Sequence, residues 1–243
     1  REPSDALYLL AFFAFVIAAG SALLMAPAAW SGPGRLGFVD SLFIAASAVC
    51  VTGLATVDLA DFSRYGQLVV LVLIQVGGLG IISFTSLFLL VPGRRLPFRR
   101  LGSIRSFSLR DVEHEPRRIV RGIVAFTAIF ELAGAAALYP VFRGADVDDA
   151  AFAAVFHSVS AFCNAGFSPF RDSLERFADR PYALGVVSLL IASGGIGFIV
   201  IQDLERRVRG RRRALSAHSR LVLPVTGFLV AGGGLAFWLH ERD

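Results

Sequence analysis

The chain has 243 residues, of which 55% are hydrophobic and 18% are charged. This balance is far from that of a soluble domain of similar length, and it indicates an integral membrane protein. The net charge of +5 does not indicate a nucleic-acid partner, because the basic residues, all arginine, gather in clusters beside apolar segments instead of covering a face.

Five long apolar runs follow one another along the chain, at residues 6–30, 67–91, 119–142, 182–201 and 221–239. Each is near or above the roughly 20 residues that a helix needs to cross the hydrocarbon core of a bilayer. We therefore predict five membrane spans and an all-α polytopic membrane protein. The first run is longer than the apolar region of a secretory signal, about 7–15 residues, so it is predicted to be a retained span.

The arginine clusters predict the orientation of these spans. Residues 94–121 hold nine arginines and residues 206–220 hold seven, whereas residues 31–66 and 143–180 hold nine acids against six arginines. Cytoplasmic loops collect positive charge, so both clusters and the N-terminus are predicted to lie inside. The clusters also suit the binding of anionic lipid headgroups.

One phrase occurs twice, as SAVCVTGL at residues 47–54 and as SAFCNAGF at residues 160–167. Each copy ends a short apolar run, at residues 40–50 and 150–163. As a helix, such a run covers only about half of the hydrocarbon thickness at 1.5 Å per residue, so it must enter the membrane and turn back. Acidic residues are predicted to cap these helices: Asp40 for the first, and Asp148 or Asp149 for the second.

The residues after each short helix would return outward as non-helical backbone. Their carbonyls would be costly in lipid and are tolerated only where they line a wet cavity. Carbonyls around such a cavity can replace the hydration shell of a cation, and the nearby helix C-termini add partial negative charge. We therefore predict a cation filter in which glycines supply backbone freedom, built from Val51, Thr52, Gly53, Asn164, Ala165 and Gly166.

The phrases at residues 48–54, 73–81, 156–162 and 164–167 resemble the Trk/Ktr/HKT superfamily of potassium transporters, most closely its bacterial Ktr-type ion-translocating subunit. The resemblance implies potassium uptake across the bacterial plasma (inner) membrane through a pseudo-fourfold pore with one filter glycine per repeat. It also implies a homodimer and a cytosolic nucleotide-binding regulatory ring as a partner. A sodium-permeable or sodium-coupled transporter is the alternative, with Na⁺ beside K⁺ as cargo.

Two of the four implied repeats are present. Each repeat consists of a helix, a re-entrant pore helix with its filter loop, and a second helix, followed by a basic cytoplasmic loop. The repeats occupy residues 1–118 and 119–218, and residues 219–243 resemble the first helix of a third repeat. We therefore expect the N-terminal portion of a longer transporter. A half-length protein that pairs with a second copy is one alternative, and a non-conducting assembly subunit is another.

Several residues beside the filter are predicted to support it: Cys50, Leu54, Gln75, Gly77, Gly78, His157, Cys163 and Phe167. The glycines at 77–80 and 194–197 are interpreted as sites of close helix packing. Gln75 is a candidate hydrogen-bond donor to the re-entrant segment. His157 is favoured as a packing residue over an ion ligand, and Glu131 as a partner of an adjacent helix over an ion site.

Other chemistry receives little support from the sequence. It contains neither G-x-S-x-G nor H-E-x-x-H, and no pair of carboxylates or histidines at working spacing inside the spans, so an enzyme is not expected. No metal site is expected beyond the permeating ion. A disulfide between Cys50 and Cys163 is disfavoured. The acids of the outer loops are either solvated charges or a means of concentrating cations at a pore mouth.

Overall fold

The computed structural model describes residues 5–90, 116–210 and 214–240, and these residues form helices joined by loops. Three short 3₁₀ helices and one isolated bridge, between Trp30 and Phe62, complete the ordered elements. The α-helices are α1 (Asp5–Leu24), α2 (Phe38–Val49), α3 (Arg64–Leu90), α4 (Pro116–Arg143), α5 (Ala150–Phe162), α6 (Pro181–Ile196), α7 (Phe198–Val208) and α8 (Ala217–His240). The predicted all-α membrane class is confirmed.

The chain divides into two compact units. The first contains residues 1–81 and 124–195, and the second contains residues 82–123 and 196–243. In the second unit, Asp203 of α7 accepts a 2.7 Å hydrogen bond from the backbone N–H of Ser216, just before α8. This bond holds Ser216 against α7.

Two described helical segments are long and apolar enough to cross a membrane, Val120–Arg143 and Ala217–His240. α6 and α7 together would make a third span, broken at Gly197. The prediction of one continuous span over residues 182–201 is therefore wrong, because Gly197 adopts a φ of +85° that a helix does not tolerate. The number of five spans remains a prediction, because the side chains of residues 81–90 in α3 and of several residues at the start of α1 are not described.

The first unit is built around its two short helices. α2 has 12 residues and α5 has 13, and ten residues of α5 are buried. The core joins apolar side chains from both helices and from α3, among them Ile44, Val49, Ile74, Phe156 and Phe162, each at most 1% exposed. Apolar burial therefore concentrates on elements too short to span a bilayer.

Glycines let the short helices touch the long ones at backbone distance. A Cβ placed on Gly77 of α3 would lie 2.1 Å from the carbonyl oxygen of Val49, the last residue of α2. A Cβ on Gly194 of α6 would lie 1.8 Å from the carbonyl oxygen of Phe162, the last residue of α5. The two positions correspond in the sequence repeat, so the repeat produces the same helix contact twice.

The first helices of the two triplets also correspond. A Cβ on Gly20 of α1 would lie 2.7 Å from Leu73 of α3, and a Cβ on Gly134 of α4 would lie 2.7 Å from Leu190 of α6. Leu73 and Leu190 are separated by the same 117 positions as Gly77 and Gly194. α1–α2–α3 and α4–α5–α6 are therefore two copies of one packing unit.

One predicted cap is confirmed and one is wrong. The Asp149 side chain caps α5 by accepting a 3.1 Å hydrogen bond from the N–H of Phe152. Asp40 does not cap α2, because that helix starts at Phe38 and leaves Asp40 inside its first turn. The helix begins earlier than predicted because the carbonyl of Gly37 accepts hydrogen bonds from both the N–H and the hydroxyl of Ser41.

Replacing Gly194 with alanine tests the close packing of α6 on α5. We expect Gly194→Ala to lower the free energy of unfolding by about 1–3 kcal/mol, because the added methyl overlaps a backbone oxygen that cannot rotate away. Gly195→Ala is the matched control, since no atom lies within 4 Å of its Cβ position. Thermal unfolding of the purified chain in detergent measures both. Equal effects of the two substitutions would contradict the packing.

Candidate functional site

Each short helix leaves its last turn through the same backbone conformation. After α2, Cys50 keeps a right-handed conformation, Val51 has a φ of +57° and Gly53 a φ of +74°. After α5, Cys163 is right-handed, Asn164 has a φ of +59° and Gly166 a φ of +73°. A positive φ is uncommon for residues such as Val51 and Asn164, so its recurrence at matching positions marks a shared, demanding geometry.

Hydrogen bonds tie the donors of the first loop back to its helix. The N–H of Val51 donates to the carbonyl of Ala48 at 3.2 Å, and the N–H of Thr52 donates to the carbonyl of Ser47 at 2.9 Å. The Thr52 hydroxyl also faces Ser47, at 2.8 Å from its Oγ and 3.3 Å from its carbonyl oxygen. This threonine therefore holds its own loop.

The second loop repeats this arrangement. The N–H of Asn164 donates to the carbonyl of Ala161 at 3.0 Å, and the N–H of Ala165 donates to the carbonyl of Ser160 at 2.7 Å. The Ser160 hydroxyl donates to the carbonyl of Phe167 at 2.7 Å. Ser47 and Ser160 therefore brace the two loops, although we did not predict them as site residues. The available signal was their place as the first residue of each repeated phrase.

The backbone carbonyls of the two loops lack hydrogen-bond partners within the described residues, unlike the loop N–H groups named above. Within the described residues, no hydrogen bond is accepted by the backbone oxygen of any of the six predicted filter residues. These are Val51, Thr52, Gly53, Asn164, Ala165 and Gly166. The loops thus present peptide oxygens that remain available to another partner.

The two loops lie against each other. A Cβ placed on Gly53 would lie 2.5 Å from the carbonyl oxygen of Ala165 and 3.2 Å from the Cα of Gly166. A Cβ placed on Gly166 would lie at an ordinary 3.5 Å from the Cα of Gly53. The structure therefore brings together the two tips that the sequence places 113 positions apart, with backbone against backbone.

The predicted supporting residues occupy different surroundings. Gly78 lies against the second short helix, since its Cβ would be 2.7 Å from Cys163 Sγ. Phe167 and Cys163 are buried, whereas Leu54 is 62% exposed and Cys50 is exposed. Leu54 and Cys50 are therefore less enclosed by the described chain than Phe167 and Cys163, and their support of the first loop stays a prediction. Both cysteines are free.

His157 is a buried side chain with both ring nitrogens engaged. Its Nδ1 donates to the carbonyl of Ala153 at 2.8 Å, so its Nε2 accepts from the Ser168 hydroxyl at 2.9 Å. Its ring also packs on Phe142 and Phe170. This arrangement fits the packing interpretation, because neither nitrogen is left to bind an ion.

Gln75 does not bond the loops, which corrects that expectation. Its amide nitrogen instead donates to Glu131 Oε2 of α4 at 3.1 Å. The other carboxylate oxygen of Glu131 lies 3.8 Å from Cys163 Sγ, its sulfhydryl donor. Glu131 therefore has partners on two neighbouring helices, as its position inside a span requires.

Ion pairs connect loop and helix-end residues of the two repeats. Arg171, five residues after Gly166, lies 3.4 Å from Asp58, which stands five residues after Gly53. Arg171 also pairs with Asp61, and that neighbour raises the pKa of its guanidinium. Arg64 pairs with Asp149, and its guanidinium lies 3.6 Å above the ring of Phe152. Asp58, Asp61 and Asp149 are thus each paired with an arginine.

The described residues hold no group of three or more histidine, cysteine, aspartate or glutamate side chains arranged for a metal ion. The chemistry available at the site is therefore that of backbone carbonyls, helix ends and one partly buried carboxylate, Glu131.

Comparison with known proteins identifies the class. Residues 11–223 match the TrkH family, described as a cation transport protein, and the chain belongs to this family. The family consists of ion transporters, so the chain is not an enzyme.

The similar individual proteins are named as cation uptake proteins. The chain is 34% identical to the potassium/sodium uptake protein NtpJ of Enterococcus hirae, over 96% of this chain and 51% of that protein. It is 35% identical to the Ktr system potassium uptake protein B of Vibrio alginolyticus, over 91% of this chain and 49% of that protein. The corresponding protein of Bacillus subtilis is 34% identical, over 94% and 51%. The chain spans about half the length of the curated relatives it matches.

Alanine at Gly53 tests the contact between the loops. We expect Gly53→Ala to destabilise the protein by more than Gly166→Ala, because only Gly53 combines a positive φ with a backbone oxygen at 2.5 Å. Left-handed strain contributes about 1–2 kcal/mol to each, and the overlap at Gly53 adds about 1–3 kcal/mol. Gly34→Ala is a control for strain alone, with a φ of +72° and open space around it. Thermal unfolding in detergent ranks the three, and a Gly53→Ala effect no larger than that of Gly34→Ala would refute the contact.

Proposed function

We propose that this chain conducts potassium inward across a bacterial plasma membrane, as part of a pore whose filter is lined by the carbonyls of its two loops. The observation that supports this most directly is the set of six loop carbonyls that accept no hydrogen bond from the described residues, while the N–H groups of Val51, Thr52, Asn164 and Ala165 are bound. Carbonyl oxygens without a hydrogen-bond partner can coordinate a cation in place of its hydration shell.

The cost of free carbonyls supports a water-filled surrounding for the loops. Unpaired backbone groups cost several kcal/mol each in hydrocarbon, so non-helical backbone at membrane depth persists where it lines a cavity. α2 and α5 both end at these loops, and their C-terminal partial charges are negative. In our proposal, the carbonyls replace part of the hydration shell of the ion and the helix ends offset its charge.

The packing of the repeats suggests how the pore is completed. In the first repeat, Val70 and Ile74 of α3 are fully buried in the core shared with α5. Their counterparts in α6 are Val187, which is partly buried, and Ile191, which is 45% exposed. The second repeat covers the face of α3 that carries Val70 and Ile74. The matching face of α6, which carries Val187 and Ile191, has no such cover within the described residues.

A cleft lies at this uncovered face. It has a volume of about 230 Å³ and is lined by Asn164 and Gly166 of the loop, by Leu174, and by Val187 and Ile191 of α6. Gly195 shows the same difference, since its counterpart Gly78 contacts Cys163 whereas no atom lies within 4 Å of its own Cβ position. We infer that a third unit of the same kind docks here and that four units close the ring.

The remaining features of the assembly follow from the family resemblance and the charge distribution. We propose an inner location for the N-terminus and for the arginine clusters, a homodimer, contact of the clusters with anionic lipid, and a cytosolic nucleotide-binding ring as a regulatory partner. Much of the first cluster, at residues 94–121, lies outside the described residues.

Sodium is the alternative cargo. The relative from Enterococcus hirae is named as a potassium/sodium uptake protein, and six carbonyls from half of a ring suit any monovalent cation that can shed water. Selectivity between the two ions depends on how firmly the loops hold their shape.

Substitution of Gly53 by serine tests the filter. In liposomes holding this chain together with the units that complete its ring, Gly53→Ser is expected to lower the ratio of rubidium to sodium uptake by about tenfold, the effect of roughly 1.4 kcal/mol on relative ion binding. The physical reason is that any Cβ at this position displaces the Ala165 carbonyl. Gly34→Ser is the control. An unchanged ratio in a folded Gly53→Ser protein would remove Gly53 from the filter.

The isolated 243-residue chain distinguishes a pore from an assembly subunit. We expect liposomes with this chain alone to show no rubidium flux, because two loops supply half of the ligands, and flux to appear when the missing units are added. Flux from monomeric chain alone would contradict the four-unit ring. Flux that never appears in the completed assembly would favour the non-conducting subunit.

The outer ion pairs yield a separate prediction. Arg171→Gln removes a positive charge and frees Asp58 and Asp61, so it is expected to raise rubidium uptake roughly twofold or more at low ionic strength. The gain should vanish at high salt, where surface charges are screened. Arg35→Gln changes the net charge equally at an exposed residue for which the described structure shows no ion pair. Identical behaviour of the two variants would exclude a local effect at the mouth.

A further inference from the structure

Glu131 is a carboxylate near the middle of a membrane span, and the conduction pathway proposed above does not use it. An ionisable side chain at that depth is costly and usually has a function. Its Oε2 accepts a 3.1 Å hydrogen bond from Gln75, and its Oε1 lies 3.8 Å from the sulfhydryl of Cys163. The first contact reaches α3 of the first repeat, and the second reaches the residue that directly precedes the second filter loop.

Cys163 joins the second short helix to that loop. It is the C-cap of α5, its N–H is bound to the carbonyl of Val159, and Asn164, with its positive φ, follows directly. On its other side, Cys163 Sγ lies against Gly78 of α3, with 2.7 Å to the Cβ position. The Cys163 side chain therefore lies between Glu131 and Gly78, and its backbone continues directly into Asn164, the first filter residue of the second loop.

Glu131 also anchors α5 through its backbone. Its carbonyl accepts a 2.7 Å hydrogen bond from the Ser158 hydroxyl, and the adjacent Gly134 allows this approach, with Ser158 Oγ only 2.4 Å from its Cβ position. Ser158 and Cys163 lie five residues apart on α5 and its cap. Two contacts more than one turn apart fix both the height and the rotation of the helix.

Gln75 connects this cluster to the first repeat. Its amide oxygen is buried and has no hydrogen-bond partner within the described part of the chain. Its described side-chain hydrogen bond is therefore the one to Glu131. Loss of Glu131 would leave the whole Gln75 amide buried and unsatisfied, which is the costly outcome for a polar group.

The cluster occurs once in the two repeats. The positions that match Glu131, Ser158 and Gln75 are occupied by Ile17, Ala45 and Ala192. The first loop therefore lacks this support, and its own cap, Cys50, is exposed. The polar contacts are confined to the junction between the first and second repeats.

We propose that Glu131 is a positioning residue that holds the second filter loop through Cys163, and that Gln75 ties this support to the first repeat, so that the carboxylate sets the ion preference of the pore. This inference rests on the proposed function. It predicts that the second loop depends on Glu131 and the first loop does not.

The test compares Glu131→Ala, Glu131→Gln, Gln75→Ala, the double variant of Glu131→Ala with Gln75→Ala, and a control. Each is placed in liposomes holding the completed transporter, with rubidium and sodium uptake as the probes. Glu131→Ala is expected to lower the rubidium-to-sodium ratio about threefold to tenfold and to raise the KM for rubidium. Glu131→Gln keeps an oxygen acceptor for Gln75 and should lose less. Gln75→Ala should add little to Glu131→Ala, because both remove the same bond.

Thr127→Val is the matched control. Thr127 lies one turn before Glu131 in α4, is 2% exposed, and its hydroxyl has no hydrogen-bond partner among the described residues. Thr127→Val should leave the rubidium-to-sodium uptake ratio unchanged, and its thermal stability should match that of the Glu131→Ala protein. A folded Glu131→Ala protein with an unchanged ratio, or a Thr127→Val protein with the same shift, would overturn the positioning role. Absence of rubidium uptake by the unaltered transporter would overturn the proposed function and this inference with it.

Discussion

The close approach of backbone to backbone at a few glycines underlies the rest of the structure. Gly77 lies on the carbonyl of Val49, Gly194 on the carbonyl of Phe162, and Gly53 on the carbonyl of Ala165. Small residues bring membrane helices this close because there is no hydrophobic force between helices in lipid, and van der Waals contact must hold them instead. The two short helices are thereby buried among the long ones, and their ends are placed side by side.

The chemistry of the loops follows from that placement. A helix end leaves carbonyls without partners, and each loop here uses its first two N–H groups to bond back to its own helix. Six loop carbonyls remain without a partner among the described residues, next to two helix C-termini of negative partial charge. A site for cations can therefore arise without any charged side chain at the loops, which agrees with membership of a cation transport family.

The two repeats share a backbone plan and differ in the side chains around it. Ser47 and Ser160 brace their loops from matching positions, but only the second loop has a carboxylate, Glu131, behind its helix cap. In the loops, matching positions carry opposite charges, Asp58 and Arg171, and these pair with each other.

Much of the fold was readable from the sequence: the all-α membrane class, both short helices within two residues of their ends, the Asp149 cap, and the loops at Gly53 and Gly166. These features depend on local composition, length and a repeated phrase. The break at Gly197, the pairing of Gln75 with Glu131 and the exposure of Leu54 were decided only in three dimensions. A hydrogen bond between residues 56 positions apart depends on which helices pack together, and so does the exposure of a side chain. The spacing of residues in the sequence does not determine which helices pack together.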